Sequence, residues 1–178
     1  MKLVSRLAWL CCGAMLAIYA LMVLVTLPRI ATEAGGLLPF DLRPLGYTHA
    51  EAVAFLSALT PAGKDIYLTI QHRLDFVFPA VFALTIAFAI VLLTPSRWGG
   101  LRWIAAAVIV IPGAIFDYLE NAAVARLLKA APEALTPELA RAAHIWTLLK
   151  SAATTIAMVL VLLLLIGWFY RRIAGRPY

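Results

Sequence analysis

The stretch IYLTIQHRLDFVFPAVFALTIAFAIVLLT, residues 66–94, decides the fold of this chain. It is apolar over nearly its whole length and exceeds the about 20 residues that an α-helix needs to cross the hydrocarbon core of a bilayer. Three further runs, residues 7–27, 103–128 and 144–170, have the same character. We therefore predict an all-α polytopic membrane protein with four transmembrane helices in an antiparallel bundle.

The composition of the 178-residue chain agrees with this prediction. Apolar residues make up 64% and charged residues 13%, whereas soluble domains average about 45–50% and about 25%. The mean hydropathy is +0.94. These values exclude a water-soluble globular domain, and we expect residues 1–178 to form a single transmembrane domain.

The net charge of +6 indicates topology rather than a nucleic-acid partner. Because connections rich in Lys and Arg stay in the cytoplasm, both termini are expected to be cytoplasmic, in a bacterial inner membrane. A nucleic-acid site needs a clustered basic surface, but these residues are split among three short segments. The segments contain no acidic residue, and their basic residues are Lys2, Arg6, Arg97, Arg102, Arg171, Arg172 and Arg176.

The connection of residues 29–65, expected on the extracytoplasmic side, contains a helix signal. Gly and Pro interrupt its first half, and Thr48 and Glu51 then have capping-box spacing ahead of Phe55 and Leu56. We predict a short amphipathic helix over residues 48–59. It can lie in the headgroup boundary or cover the bundle as a lid, and we favour the boundary, where such helices commonly lie.

Ionisable side chains inside the runs mark the expected functional site, since hydrocarbon makes them costly and they usually face the bundle interior. The second run carries Asp75, the third carries Asp117 and Glu120, and the fourth carries Lys150 at a similar depth. Pro79 lacks the N–H that would bond the carbonyl of Asp75, so this oxygen is free in the same layer. We expect an acidic pocket that opens to the extracytoplasmic side.

This predicted pocket has more acidic than basic groups. The acidic groups are Asp75, Asp117 and Glu120, and the basic group is Lys150. Arg73 adds a second positive charge only if its side chain does not extend to the membrane surface. The missing charge points to a protonated carboxyl or to a bound cation. We predict that the pocket binds a small amphiphile, a lipid or a cation. The predicted ligand-binding residues are Tyr67, Gln71, His72, Arg73, Asp75, Asp117, Glu120, Asn121 and Lys150.

Two alternatives use the same residues. In an intramembrane enzyme acting on a lipid-like substrate, Asp75, Asp117 and Glu120 are the catalytic acid and base groups, and a divalent metal is the cofactor. Its ligands are these carboxylates together with His72 and His144. In a structural or assembly subunit, the charges only fix the helix register. Expected partners are membrane lipid, a small amphiphile or a partner transmembrane subunit, with oligomer formation left open.

Overall fold

The structure of the chain is a computed structural model that describes residues 2–173, apart from the side chain of Glu133. It confirms the all-α fold, with helices joined by short connections and no strand in that range. In chain order its main helices are α1 (Lys2–Glu33), α2 (His49–Ala58), α3 (Pro61–Leu93), α4 (Leu101–Lys129) and α5 (Pro137–Ile173). The helices α1, α3, α4 and α5 are long and apolar enough to span a membrane, whereas α2 is too short.

The spanning helices extend beyond the apolar runs that predicted them. Helix α3 begins at Pro61 rather than at residue 66, and α5 begins at Pro137 rather than at residue 144. In both, the preceding threonine caps the helix. The hydroxyl of Thr60 or Thr136 accepts a hydrogen bond from the backbone N–H three residues later, at 3.1 and 3.3 Å. Hydropathy marks only the apolar part of a helix, so these polar first turns fell outside the predicted runs.

Helix α3 is the centre of the bundle. It packs against α1, α4 and α5, and α4 and α5 pack along each other. Residues 2 and 173 and the turn of residues 94–100 lie at one end of the bundle, which we call the terminal end. Residues 34–60, which we call the cap, lie at the opposite, loop end together with the connection of residues 130–136.

Two apolar clusters fill the interior of the bundle. The cluster nearer the terminal end is built around Ile86 and Ile90 of α3, and the larger cluster joins α3 and α4 to the cap at the loop end. Asp75 of α3 and both Asp117 and Glu120 of α4 are buried between these clusters along their helices. The polar layer expected from the sequence is therefore sealed by apolar packing above and below.

Helix α2 packs onto the bundle as a lid. The predicted capping box forms, since Thr48 accepts a hydrogen bond from the Glu51 N–H while Glu51 accepts one from the Thr48 N–H at 2.7 Å. This second hydrogen bond lowers the pKa of Glu51. Phe55 is fully buried, with ring centroids 4.9 Å from Phe40 and 6.3 Å from Tyr67. The preference for the headgroup boundary is wrong, because the apolar face of α2 is buried against protein.

Candidate functional site

Lys150 of α5 bridges the two acidic residues of α4. Its Nζ lies 2.9 Å from Asp117 Oδ1 and 2.6 Å from Glu120 Oε2. The other carboxylate oxygen of Glu120 accepts a hydrogen bond from the Thr147 hydroxyl at 2.5 Å. Asp117 and Glu120 share one helix face because they are three residues apart. One ammonium group therefore serves two carboxylates, and Glu120 is only 3% exposed.

Asp75 of α3 lies in the same layer without a basic partner. Within residues 2–173 no ion pair includes it, and its Oδ1 accepts a hydrogen bond from Gln71 Nε2 at 2.9 Å. The side-chain amide of Asn121 donates to the backbone carbonyl of Asp75 at 2.8 Å. This is the carbonyl that Pro79 leaves without a helical donor, so the predicted free oxygen is satisfied from α4.

Two π-helical segments connect α1 to this layer. They are Met22–Thr26 in α1 and Tyr67–Gln71 in α3. The Thr26 hydroxyl donates to the amide oxygen of Gln71, and the amide nitrogen of Gln71 donates to Asp75. Such segments are rare and frequently occur at functional sites. Here they place a buried hydrogen-bond chain between α1 and an acidic side chain of α3.

A further carboxyl group reaches the layer from the cap. Asp41 accepts a hydrogen bond from the hydroxyl of Tyr67, a residue that is 2% exposed. Burial raises the pKa of Asp41, although the charge of Lys150 acts in the opposite direction. Asp41 also interacts electrostatically with Asp75 and Glu120. We call the resulting group the acidic cluster, and it consists of Asp41, Asp75, Asp117 and Glu120.

A contact with α5 fixes the cap over the acidic cluster. The Tyr47 N–H donates to His144 Nδ1 at 3.1 Å. Gly46 precedes it with a φ of 77°, and a Cβ at this position would collide with the His144 ring, so only glycine fits. Burial, together with the charge of Glu120, raises the pKa of Tyr47, and its hydroxyl stays protonated beside Glu120. The cap thus places a phenol group as well as a carboxyl group at the cluster.

The acidic cluster has a larger excess of negative groups than the sequence predicted. Asp41 adds a fourth carboxyl group, while the side chain of Arg73 is exposed and does not contribute a positive charge. Lys150 is the one basic residue in ion-pair contact with the cluster in the described part of the chain. Carboxylates in a poorly hydrated site are costly unless they are paired or protonated. The arrangement can therefore take up positive charge.

The free space beside Asp117 is small. The cavity that reaches Asp117 lies between α3, α4 and α5 and has a volume of about 10 Å³. This is about the room that one water molecule needs. On the side of the loop end, the buried rings of Phe40, Tyr47 and Phe55 close the bundle. The site is therefore a closed cluster, not the outward-opening pocket that the sequence predicted.

The structure brings together most of the predicted ligand-binding residues. His72 and Arg73 are the exceptions. His72 is half-buried in a separate groove between α3 and α4, and Arg73 is exposed. Successive helix residues point about 100° apart, so these two turn away when Gln71 and Asp75 face inward. The residues that belong to the cluster or contact its members are Tyr67, Gln71, Asp75, Asp117, Glu120, Asn121 and Lys150.

The predicted metal site is not assembled. Within residues 2–173 there is no group of three or more His, Cys, Asp or Glu residues that could hold a metal ion. Lys150 already lies between the two carboxylates of α4, and the Nδ1 of His144 accepts the hydrogen bond from the cap. The ligands in that prediction were His72, Asp75, Asp117, Glu120 and His144.

Three site residues were not predicted from the sequence: Asp41, Tyr47 and Thr147. The first two lie in the string DLRPLGY, residues 41–47, in a connection that also carries Phe40. Large aromatic side chains tend to be buried, so their presence in this connection was the available sign that the segment returns to the bundle. Thr147 lies three residues before Lys150 and so shares its helix face.

No protein-family model, curated protein or solved structure matches this chain.

Proposed function

We propose that this chain is an integral membrane protein that takes up protons or a small cation at its acidic cluster. The observation that carries this proposal is the excess of acidic groups: the cluster has four carboxyl groups, and among residues 2–173 one lysine forms ion pairs with two of them, Asp117 and Glu120. A buried carboxylate without a counter-charge costs several kcal/mol. Uptake of positive charge removes this cost, so the cluster has a physical reason to bind it.

The small volume beside Asp117 favours the binding of protons over that of larger ligands. A small dehydrated cation is the other possible source of the same positive charge. A cavity of about 10 Å³ has no room for an amphiphile or a lipid-like substrate beside Asp117. Catalysis by Asp75, Asp117 and Glu120 would therefore require the cap to move away first. A structural subunit would not need an acidic excess, because an equal number of opposite charges fixes helix register at lower cost.

The cap is the element that would respond to uptake. Asp41 belongs to both the cap and the acidic cluster, and its neighbours there include Asp75 and Glu120. A protonated Asp41 lies beside these groups without repulsion, whereas an ionised Asp41 is repelled by them. Proton binding therefore favours the closed cap, and proton release favours an open one.

Replacing Asp75 by Asn should leave the free energy of unfolding unchanged or raise it by about 1 kcal/mol. Asn keeps an oxygen that accepts the Gln71 hydrogen bond and removes an ionisable group that has no ion-pair partner within residues 2–173. Denaturant unfolding in detergent at pH 7 measures the change. Asp65→Asn removes an exposed carboxylate from the same helix and should change stability by less than about 0.5 kcal/mol. A loss of about 1–3 kcal/mol in Asp75→Asn would instead indicate a network that only stabilises the bundle.

The same unfolding measurement against pH distinguishes protons from other cations. Because the folded pKa of Asp41 is raised above its ordinary value of 3.8, its contribution to stability is full below that pH and is lost as pH rises through the raised pKa. Asp41→Asn removes this contribution and should flatten the profile. If Na⁺ is the ligand, replacing it by choline at constant pH should lower stability. A wild-type profile identical to that of Asp41→Asn, without any effect of Na⁺, would contradict the proposal.

We further propose that the protein lies in a bacterial inner membrane with its terminal end in the cytoplasm. The basic residues of the three short segments without acidic residues lie at the terminal end, except Arg176, which is outside the described residues. Green fluorescent protein fused after Tyr178 should therefore fluoresce, and alkaline phosphatase fused there should be inactive. A phosphatase fusion after Ala131, in the connection at the loop end, should be active. Phosphatase activity from the Tyr178 fusion would contradict the proposed orientation.

A further inference from the structure

A second site lies on the side of the bundle, between α3 and α4. A groove there has a volume of about 560 Å³, within the range of about 300–1,000 Å³ that is typical of small-molecule sites. His72 and Phe76 form one wall, and Tyr118, Ala122 and Arg126 form part of the other. Phe76, Ala122 and Arg126 are exposed, so the groove opens away from the bundle axis. It is therefore accessible without movement of the cap.

The end of this groove nearest the loop end is basic. Arg126 and Lys129 lie one turn apart at the end of α4, and His72 lines the same groove from α3. The groove lining contains no acidic residue. Within residues 2–173, the ion pairs of the chain involve neither Arg126 nor Lys129. This end is complementary to an anionic group.

The other end of the groove is apolar and contains Phe76 and Tyr118. Along α4, Tyr118 lies about 16 Å from Lys129, at a rise of 1.5 Å per residue. The rings of Phe76 and Tyr118 have centroids 5.9 Å apart, and the Tyr118 hydroxyl donates to the Phe76 carbonyl at 3.0 Å. Ala122 leaves the space between the two ends open. The groove is thus amphipathic along the direction of the helix axes.

We infer that this groove binds an anionic phospholipid of the surrounding membrane. Lys129 and Arg126 lie at the end of a spanning helix, at the level of the lipid phosphates, and their positive charges attract an anionic head group. The acyl chain lies along Phe76 and Tyr118, parallel to α4. Asn121 connects the two sites, because it lines the groove and also donates to the Asp75 carbonyl at 2.8 Å. Binding of the lipid does not require proton uptake at the acidic cluster, because the groove is open at the side of the bundle.

Lipid selectivity of the purified full-length chain tests this inference. Native mass spectrometry in detergent measures the affinity for dioleoyl phosphatidylglycerol and for dioleoyl phosphatidylcholine, which has the same acyl chains and no net charge. The wild type should bind the anionic lipid more tightly. Arg126→Gln combined with Lys129→Gln should weaken that binding about 25-fold, from about fivefold for each basic residue near an anionic lipid. Binding of the phosphatidylcholine should change little.

Two further variants distinguish lipid binding in the groove from general electrostatic attraction between the protein and anionic lipid. Arg29→Gln combined with Arg141→Gln removes the same charge from exposed residues at the loop end and should keep the lipid preference. Ala122→Phe fills the groove from an exposed position, keeps both basic residues, and should weaken binding of the anionic lipid at least tenfold. The inference is overturned if the wild type shows no preference, if the Arg29 and Arg141 variant loses as much affinity, or if Ala122→Phe binds as the wild type does.

Discussion

Replacing Lys150 by Met should lower the free energy of unfolding by about 3–5 kcal/mol, the cost of leaving buried charges without their partner. Lys150 Nζ lies within 2.9 Å of Asp117 and 2.6 Å of Glu120, and within residues 2–173 no other basic residue forms an ion pair with the acidic cluster. Met has a similar length and flexibility, so the loss reports charge rather than a cavity. Denaturant unfolding in detergent at pH 7 measures it.

Two variants test whether this loss comes from the ion pairs. Lys2→Met removes an exposed lysine that lies outside both sites and should change stability by less than about 0.5 kcal/mol. Adding Asp117→Asn and Glu120→Gln to Lys150→Met should recover most of the loss, because neutral groups replace both sides of the pairs. If Lys150→Met is as stable as Lys2→Met, the cluster does not depend on positive charge, and the proposal of cation uptake fails with it.

The helices and the polar layer could be predicted from the sequence because both depend only on the positions of residues along the chain. The apolar length of residues 66–94 and of the three other runs is enough to identify the spanning helices. The fixed rise of a helix then places Asp75, Asp117 and Lys150 at comparable depth without knowledge of the packing. Pro79 likewise determines by its chemistry which carbonyl lacks a helical donor, and the structure shows Asn121 bonded to it.

Features that depend on the rotation of a helix or the path of a connection could not be predicted in this way. The π-helical segment Tyr67–Gln71 changes the local register, and depth alone does not say that His72 and Arg73 turn away from Asp75. The route of the cap is set by the burial of its aromatic side chains and by the bond between Asp41 and Tyr67. An amphipathic pattern is the same for a lid and for a helix in the headgroup boundary, so only the tertiary contacts distinguish them.

Replacing Phe55 by Ala should destabilise the closed cap by about 3–5 kcal/mol. Phe55 is 0% exposed, and its ring packs against Phe40 of the cap and Tyr67 of α3. Since Tyr67 also donates to Asp41, loss of this packing loosens the cap at the acidic cluster. If the cap opens as a local unit, a loss of 3 kcal/mol raises the rate of amide hydrogen exchange in the cap more than a hundredfold. Exchange in α4 and α5 far from the cap should change much less.

Leu45→Ala provides the matched control, because Leu45 lies in the same cap but is 86% exposed. Its exchange rates should resemble those of the wild type, whereas Phe55→Ala should also let a water-soluble carbodiimide modify Asp75 and Glu120. A helix that merely lies in the headgroup boundary predicts the opposite, since Phe55 would then contact lipid and both variants would behave alike. Equal exchange in the two variants would mean that α2 does not cover the cluster in the membrane. Faster exchange without carbodiimide modification would mean that the cap opens but does not control access to the carboxyl groups.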